Sequence, residues 1–212
     1  MRKLSAAVLV FVGGFVIMVL EIIGARYLAK DFGGSFYVWV SQIGVILTAL
    51  ALGYFAGGAL ADWWRRTAFL AWLLAPAGVF TFFIPSFAGS WIEAIMNRHS
   101  GEHIPLLWQK LDPAIGSTFI FLLPCFVLAT LSPYMVRLTV RHLGQVGRIS
   151  GLIYSASTAG SIAGVFVSGY VLIDYFSVTN IFRTMGGLTV LLGLMCLALD
   201  RCFRIETAEG TH

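Results

Sequence analysis

Long apolar runs constrain this chain more than any other feature of its sequence. There are six of them, each about 20 residues long, and none alternates between apolar and polar residues. A bilayer admits only helices or closed barrels, because every backbone polar group inside it must be satisfied internally. Only 11% of the residues are charged, against about 25% in soluble domains. We therefore predict an all-helical integral membrane protein with six transmembrane helices.

Polar turns between the runs set the predicted span boundaries. The first run is predicted to be a retained span rather than a cleaved signal peptide, because it is long, contains Glu21 and lacks a small-residue cleavage site. Residues 88–112 form the one substantial loop, which begins with a short amphipathic helix suited to the membrane interface or to a lid. Residues 1–200 form one membrane domain and 201–212 a polar tail. The predicted spans cover 4–28, 36–61, 68–87, 113–136, 149–173 and 178–199.

The positive charges predict the orientation of these spans. Cytoplasmic loops carry an excess of lysine and arginine. One side of the predicted bundle has nine such residues and the other has four, with Arg26 near the end of the first span. We predict a protein of the bacterial cytoplasmic (inner) membrane with both termini in the cytoplasm and the loop 88–112 in the periplasm. The nine are Arg2, Lys3, Arg65, Arg66, Arg137, Arg141, Arg148, Arg201 and Arg204.

Two spans carry a row of small residues at every fourth position. Positions i and i+4 share one helix face, and a face of small residues lets another helix approach at backbone distance. We predict close packing of both faces at the middle of the bundle, with Glu21 nearby. The rows are Ala49, Gly53, Gly57 and Ala61 in the second span, and Ala156, Gly160, Gly164 and Ser168 in the fifth.

The two halves of the chain also share charged residues at the span ends. Arg26 and Arg137 end the first and fourth spans, while Asp62 and Asp174 end the second and fifth. The spacing from arginine to aspartate is 62 − 26 = 36 in one half and 174 − 137 = 37 in the other. Three spans separate the halves, so they would be inverted in the membrane. This pattern predicts a 3+3 inverted repeat resembling half a major facilitator transporter, with a site near the midplane; a chance likeness is the alternative.

Glu21 is the most costly residue of the first span. An ionisable group inside the bilayer costs about 2.5–3.5 kcal/mol on insertion scales. It is either a buried structural hydrogen-bonding group or a binding site for a proton or an amine cation. Arg26 lies roughly 140° around the helix at about 100° per residue, so a partner on another span, including Arg137, is favoured. The ligand or proton candidates are Glu21, Arg26, Tyr54, Tyr154 and Ser157.

The second span ends in a charged motif. Its pattern Gly-x-Leu-Ala-Asp-x-x-x-Arg resembles the short loop motif of major facilitator transporters, in which the charged residues clamp helix ends and favour one access state. The alternative is a helix-end anchor that follows the charge rule. The hydroxyls of the fifth span either bond across helices or line a ligand site. The gating or helix-end candidates are Asp62, Arg65, Arg66, Arg137 and Arg148.

Motifs for catalysis are missing from the sequence. There is no H-E-x-x-H, G-x-S-x-G or P-loop pattern. The three cysteines form no C-x-x-C pair, and we predict reduced, structural thiols. No metal, no cofactor and no nucleic-acid partner is expected, and the expected surroundings are the lipid bilayer.

Several ordered segments resemble one family. They are EIIGARYLA at 21–29, FGGSFYVW at 32–39, LALGYFAGG at 50–58, SPYMVRL at 132–138 and GRISGLIYSASTAGSIAG at 147–164. Together they look like the membrane portion of the fused major-facilitator/spermidine-synthase-like proteins. Members of that family usually continue into a cytoplasmic synthase domain with a glycine-rich cofactor loop. Residues of that kind are not found in this chain, so no aminopropyl transfer, and no enzyme activity, is expected of it.

Two functions remain open at this point. The first is a transporter-like module that binds or moves a small cation, either a polyamine-like amine or a proton, with Glu21 as the counter-charge. It would work as a homodimer or beside a membrane or cytoplasmic partner. The second is a non-transporting membrane subunit that anchors or assembles a partner protein, with the small-residue faces serving as docking surfaces.

Overall fold

The fold is described by a computed structural model over residues 2–34, 36–98, 106–140 and 142–208. Every regular element within those ranges is helical. The α-helices are α1 (Arg2–Phe32), α2 (Phe36–Trp63), α3 (Thr67–Met96), α4 (Leu106–Ala129), α5 (Leu131–Thr139), α6 (Val146–Val167), α7 (Ile173–Tyr175) and α8 (Val178–Ala208). A 3₁₀ turn covers Leu143–Gln145 and a π-helix covers Ser168–Leu172.

Within the described ranges, six stretches of helix are long and apolar enough to cross a membrane. The prediction of an all-helical, multi-pass membrane protein is therefore confirmed. The fourth span consists of α4 and α5, and the fifth span consists of α6, the π-helix and α7. Two ends of the bundle follow from this order. The Gly33 end holds the turn between α1 and α2 and the turn before α8, while the Arg66 end holds the turn between α2 and α3.

Two predicted boundaries differ from the observed ones. The third span does not stop at residue 87, because α3 continues to Met96 and buries Ile92 against the bundle. The predicted interfacial helix is thus the last part of α3. The fourth span does not begin at Pro113, because α4 starts at Leu106 and takes this proline into the helix. In α3 the extra length follows from the packing of Ile92 rather than from hydropathy. The polar tail begins inside α8, and residues 209–212 lie outside the described residues.

The fourth span is interrupted at Thr130. Its backbone N–H lies 3.3 Å from the carbonyl oxygen of Phe126 and 3.2 Å from that of Val127, so the hydrogen bond is shared. Proline at position 133 has no N–H to return to the carbonyl of Ala129, four residues earlier. The missing bond lies where the helix divides into α4 and α5.

The first and fourth spans form the centre of the bundle. In the most apolar stretch of each, 56% and 61% of the residues are buried, against 22% in the second span and 17% in the fifth. The second span packs against the fourth, the fifth packs against the first, and α3 packs against α8. Most of the surface of the second and fifth spans therefore faces outward.

Candidate functional site

The small-residue row of the second span packs against the fourth span. A Cβ atom added to Gly53 would lie 2.5 Å from the carbonyl oxygen of Phe126. One added to Gly57 would lie 2.5 Å from the carbonyl oxygen of Thr130, at the break in that span. The first and last members of the row, Ala49 and Ala61, are fully buried. This face thus meets another backbone directly.

The row of the fifth span packs against α1 instead. A Cβ atom added to Gly160 would collide with the carbonyl oxygen of Phe11, and one added to Gly164 would lie 2.5 Å from that of Phe15. Ser168 is buried and donates a hydrogen bond of 3.0 Å to the carbonyl of Val165. Ala156 is partly buried beside the core.

Both rows are therefore buried in helix–helix contacts within the chain. They do not face each other, because each meets a different central helix. The idea that these faces dock a separate partner is wrong, since backbone atoms of α1 and of the fourth span already occupy them. Sequence spacing marks a close approach but carries no information about which helix approaches.

Glu21 lies in the C-terminal half of α1, towards the Gly33 end. Its side chain is partly buried. Within the residues that the structure describes, no hydrogen bond or ion pair involves the Glu21 carboxylate. A carboxylate in a span thus lacks the partner that a purely structural role would require.

The predicted partners of Glu21 are engaged elsewhere. The rings of Tyr54 and Tyr154 contact each other edge to face, with centroids 6.5 Å apart. The hydroxyl of Ser157 lies 3.4 Å from that of Ser132. These contacts join the second, fourth and fifth spans without reaching Glu21.

The π-helix of the fifth span lies at about the same depth in the bundle as Glu21. Phe11 meets Gly160 and Phe15 meets Gly164, so α1 and α6 run parallel. Glu21 is six residues beyond Phe15 (21 − 15 = 6), and the π-helix begins four residues beyond Gly164 (168 − 164 = 4). At about 1.5 Å per residue these positions come within a turn of each other. π-Helices inside longer helices occur frequently at functional sites.

A buried polar pair near Glu21 was not predicted from the sequence. Gln42 of α2 is fully buried and accepts a hydrogen bond of 2.6 Å from the hydroxyl of Ser117. Its amide nitrogen has no partner among the described residues and packs on Gly24, where a Cβ atom would collide with it. Gly24 lies one turn beyond Glu21. A glutamine inside an apolar run was the available signal.

Side-chain contacts hold the helix ends together at the Arg66 end. The guanidinium of Arg137 donates a hydrogen bond of 2.6 Å to the carboxylate of Asp62. The hydroxyl of Tyr134 lies within hydrogen-bonding reach of the carbonyl oxygens of Trp64 and Arg66, at 2.9 Å from the latter. The fourth span thus contacts both the end of α2 and the turn that follows it.

A second contact closes the same end from α8. One carboxylate oxygen of Asp200 accepts hydrogen bonds from the Thr67 hydroxyl at 3.2 Å and from the Ala68 N–H at 3.1 Å. A carboxylate at this position satisfies a free N–H of α3 and interacts favourably with the helix dipole.

The remaining arginine candidates do not form ion pairs in the described part of the chain. Arg65, Arg66 and Arg148 are exposed at or near the Arg66 end. Arg26 is exposed on α1 towards the Gly33 end, where it borders a cavity, and it pairs with neither Glu21 nor Asp174. Of the five arginine candidates, all of them described residues, only Arg137 has the helix-end contact that the charge pattern predicts.

Other chemistry has little support in this geometry. Across 2–34, 36–98, 106–140 and 142–208, no three histidine, cysteine, aspartate or glutamate side chains are grouped to hold a metal ion. Cys125 and Cys196 are buried free thiols.

In comparisons with models of protein families, with curated proteins and with solved structures, the chain matches none of them. The family resemblance seen in the sequence therefore stays a prediction.

Proposed function

We propose that this chain is a transporter-like membrane module that binds or moves a small cation, a polyamine-like amine or a proton, with Glu21 as the counter-charge. The observation that carries the proposal is the Glu21 carboxylate itself. It lies in a membrane-crossing helix, at about the same depth as a π-helix, without a described hydrogen-bond or ion-pair partner. Ionisable groups at such positions usually mark ion or proton pathways.

The packing pattern supports a 3+3 inverted repeat. If spans one, two and three correspond to spans four, five and six, the contact of the second span with the fourth corresponds to that of the fifth with the first. Both contacts exist, and both use a row of small residues. The remaining large contact, α3 with α8, corresponds to itself. In transporters of this type the ligand site lies near the junction of the repeats.

The contacts at the Arg66 end support a clamp of the kind seen in major facilitator transporters. Asp62 with Arg137, Tyr134 with the α2–α3 turn, and Asp200 with the start of α3 join four helices at one end. Positive charge is in excess at this end and at both termini. This excess supports a bacterial inner-membrane protein whose Arg66 end and termini face the cytoplasm.

Uptake by reconstituted vesicles tests the role of Glu21. The protein is placed in liposomes with an inside-negative potential, and uptake of labelled spermidine is measured alongside proton influx with an internal pH dye. We expect Glu21→Gln to abolish one of the two signals, because it removes the counter-charge and keeps the side-chain shape. The matched control is Glu93→Gln, at the exposed end of α3. Equal signals from wild type and a well-folded Glu21→Gln protein would sink the proposal.

The second candidate function, a subunit that assembles with a partner, is favoured by one observation. The second and fifth spans leave most of their surface uncovered, with 22% and 17% of their most apolar stretch buried. The exposed residues include Gly44 and Gly151, around which an added Cβ atom would meet nothing. Gly44→Trp and Gly151→Trp should then disrupt a complex isolated in mild detergent. If the chain is isolated from its membrane in mild detergent as a lone monomer and both variants behave like wild type, this alternative fails.

A further inference from the structure

A cavity lies at the Gly33 end, where the fifth span turns into α8. Its volume is about 200 Å³. Ile23 and Arg26 of α1 form one side, Ile173 and Phe176 form the end of the fifth span, and Val178 begins α8. Five of the seven described lining residues are apolar, and Arg26 is the only charged side chain among the seven.

Arg26 has no counter-charge in the described part of the chain. Arg137, which ends the fourth span as Arg26 ends the first, binds the carboxylate of Asp62. The corresponding acid of the second half, Asp174, makes no such contact with Arg26 although it lies next to the cavity wall residue Ile173. A guanidinium is built for bidentate binding of a carboxylate or a phosphate. Its binding capacity remains unused here.

The start of α8 adds positive potential at the same place. Ser177, another lining residue, accepts a hydrogen bond of 3.3 Å from the N–H of Asn180. The N–H groups of Val178 and Thr179 belong to the first turn, which has no acceptors within the helix. The helix dipole directs its positive end to this point. Arginine and helix terminus together favour an anion at the mouth of the cavity.

The surroundings indicate which anion fits. Tyr170, Tyr175 and Phe176 are large aromatic side chains exposed beside this turn, as is typical of the boundary between hydrocarbon and headgroups. The cavity is also smaller than the roughly 300–1,000 Å³ of most small-molecule sites. It suits one charged group attached to an apolar tail that continues along the outside of the protein.

We propose that Arg26 and the first turn of α8 bind the phosphate of a membrane phospholipid, whose acyl chains lie along the exposed apolar surface beside the cavity. The site is separate from the cation site proposed at Glu21. It would give the bilayer a specific contact at the junction of the fifth span and α8.

Native mass spectrometry of the delipidated protein tests this site. Dioleoylphosphatidylglycerol is titrated into the wild type, Arg26→Gln and Arg26→Lys. We expect Arg26→Gln to weaken lipid binding about tenfold or more, since a hydrogen-bonded charge is lost. Arg26→Lys should fall between the two, because it keeps the charge without the bidentate geometry. The matched control is Arg183→Gln, an exposed arginine of α8 that lies over the ring of Phe82 and outside the cavity.

Three further measurements keep the outcome decisive. Ile173→Trp fills the cavity and leaves Arg26 in place, so it should also lower lipid occupancy, even if Arg26→Gln does not fold. Dioleoylglycerol, which has no phosphate, should bind equally to the wild type and to Arg26→Gln. Inorganic phosphate at millimolar concentration should not displace the lipid. Unchanged lipid binding in folded Arg26→Gln or in Ile173→Trp, binding of dioleoylglycerol that depends on Arg26, or full displacement by inorganic phosphate would each overturn the proposal.

Discussion

The second and fifth spans begin alike and end differently. Each presents glycines at every fourth position to a central helix, at distances that leave no room for a side chain. The second span then continues as a regular α-helix to Trp63, and Asp62 reaches Arg137. The fifth span passes through a π-helix, and Asp174 does not reach Arg26.

This difference arises from the number of residues between the small-residue row and the aspartate that follows it. Asp62 follows Ala61, the last member of its row, directly. Asp174 stands six positions after Ser168 (174 − 168 = 6), with the π-helix in between. A π-helix has wider turns, so it changes the direction of every residue that follows it. The same residue types at nearly the same overall spacing thus form a closed end in one half and a cavity in the other.

The largest expected effect comes from filling the rows. Gly57→Leu and Gly160→Leu should each destabilise the protein by about 3 kcal/mol or more, because the new side chain must displace backbone atoms of the facing helix. Gly58→Leu and Gly151→Leu are the matched controls, since their Cβ atoms would meet nothing within 4 Å. Thermal unfolding in detergent measures the four variants. A tolerated leucine in either row would break the equivalence of the two spans.

A smaller effect is expected from the clamp on the α2–α3 turn. Tyr134→Phe removes the hydroxyl that reaches the carbonyls of Trp64 and Arg66. We expect a loss of about 1–3 kcal/mol in the free energy of unfolding, since a partly buried hydrogen bond is lost. Tyr170→Phe, on the exposed surface of the fifth span, should be neutral. Equal stability of the two variants would mean that the Arg66 end is not held by this tyrosine.

The smallest effect separates the two acids. Asp62→Asn should cost about 0.2–1 kcal/mol, because the ion pair with Arg137 is exposed and well solvated. Asp174→Asn should cost nothing measurable, because no described partner is lost. The comparison is made at low salt, where exposed ion pairs are screened least. A larger loss for Asp174→Asn would show that the second half forms a pair of its own.

Several features of the site were accessible from the sequence and several were not. Glu21, the glycine rows and the acid that pairs with Arg137 stand out by residue type and spacing. Three contacts do not stand out in this way. They are the packing of Gln42 on Gly24, the hydrogen bonds of Asp200 at the start of α3, and those of Tyr134 to the α2–α3 turn. Each of these joins residues far apart in the chain, and no local pattern encodes such a distance.

The sequence by itself determined that the chain forms six helices that are long and apolar enough to cross a membrane. The bilayer imposes this span by span, since each backbone segment must satisfy its own hydrogen bonds within the hydrocarbon. Only the tertiary structure decided which helices the glycine rows meet, which arginine finds its aspartate and where Glu21 is left without a partner. Those outcomes depend on how helices distant in sequence are arranged, because a flat face permits close contact with any helix that reaches it.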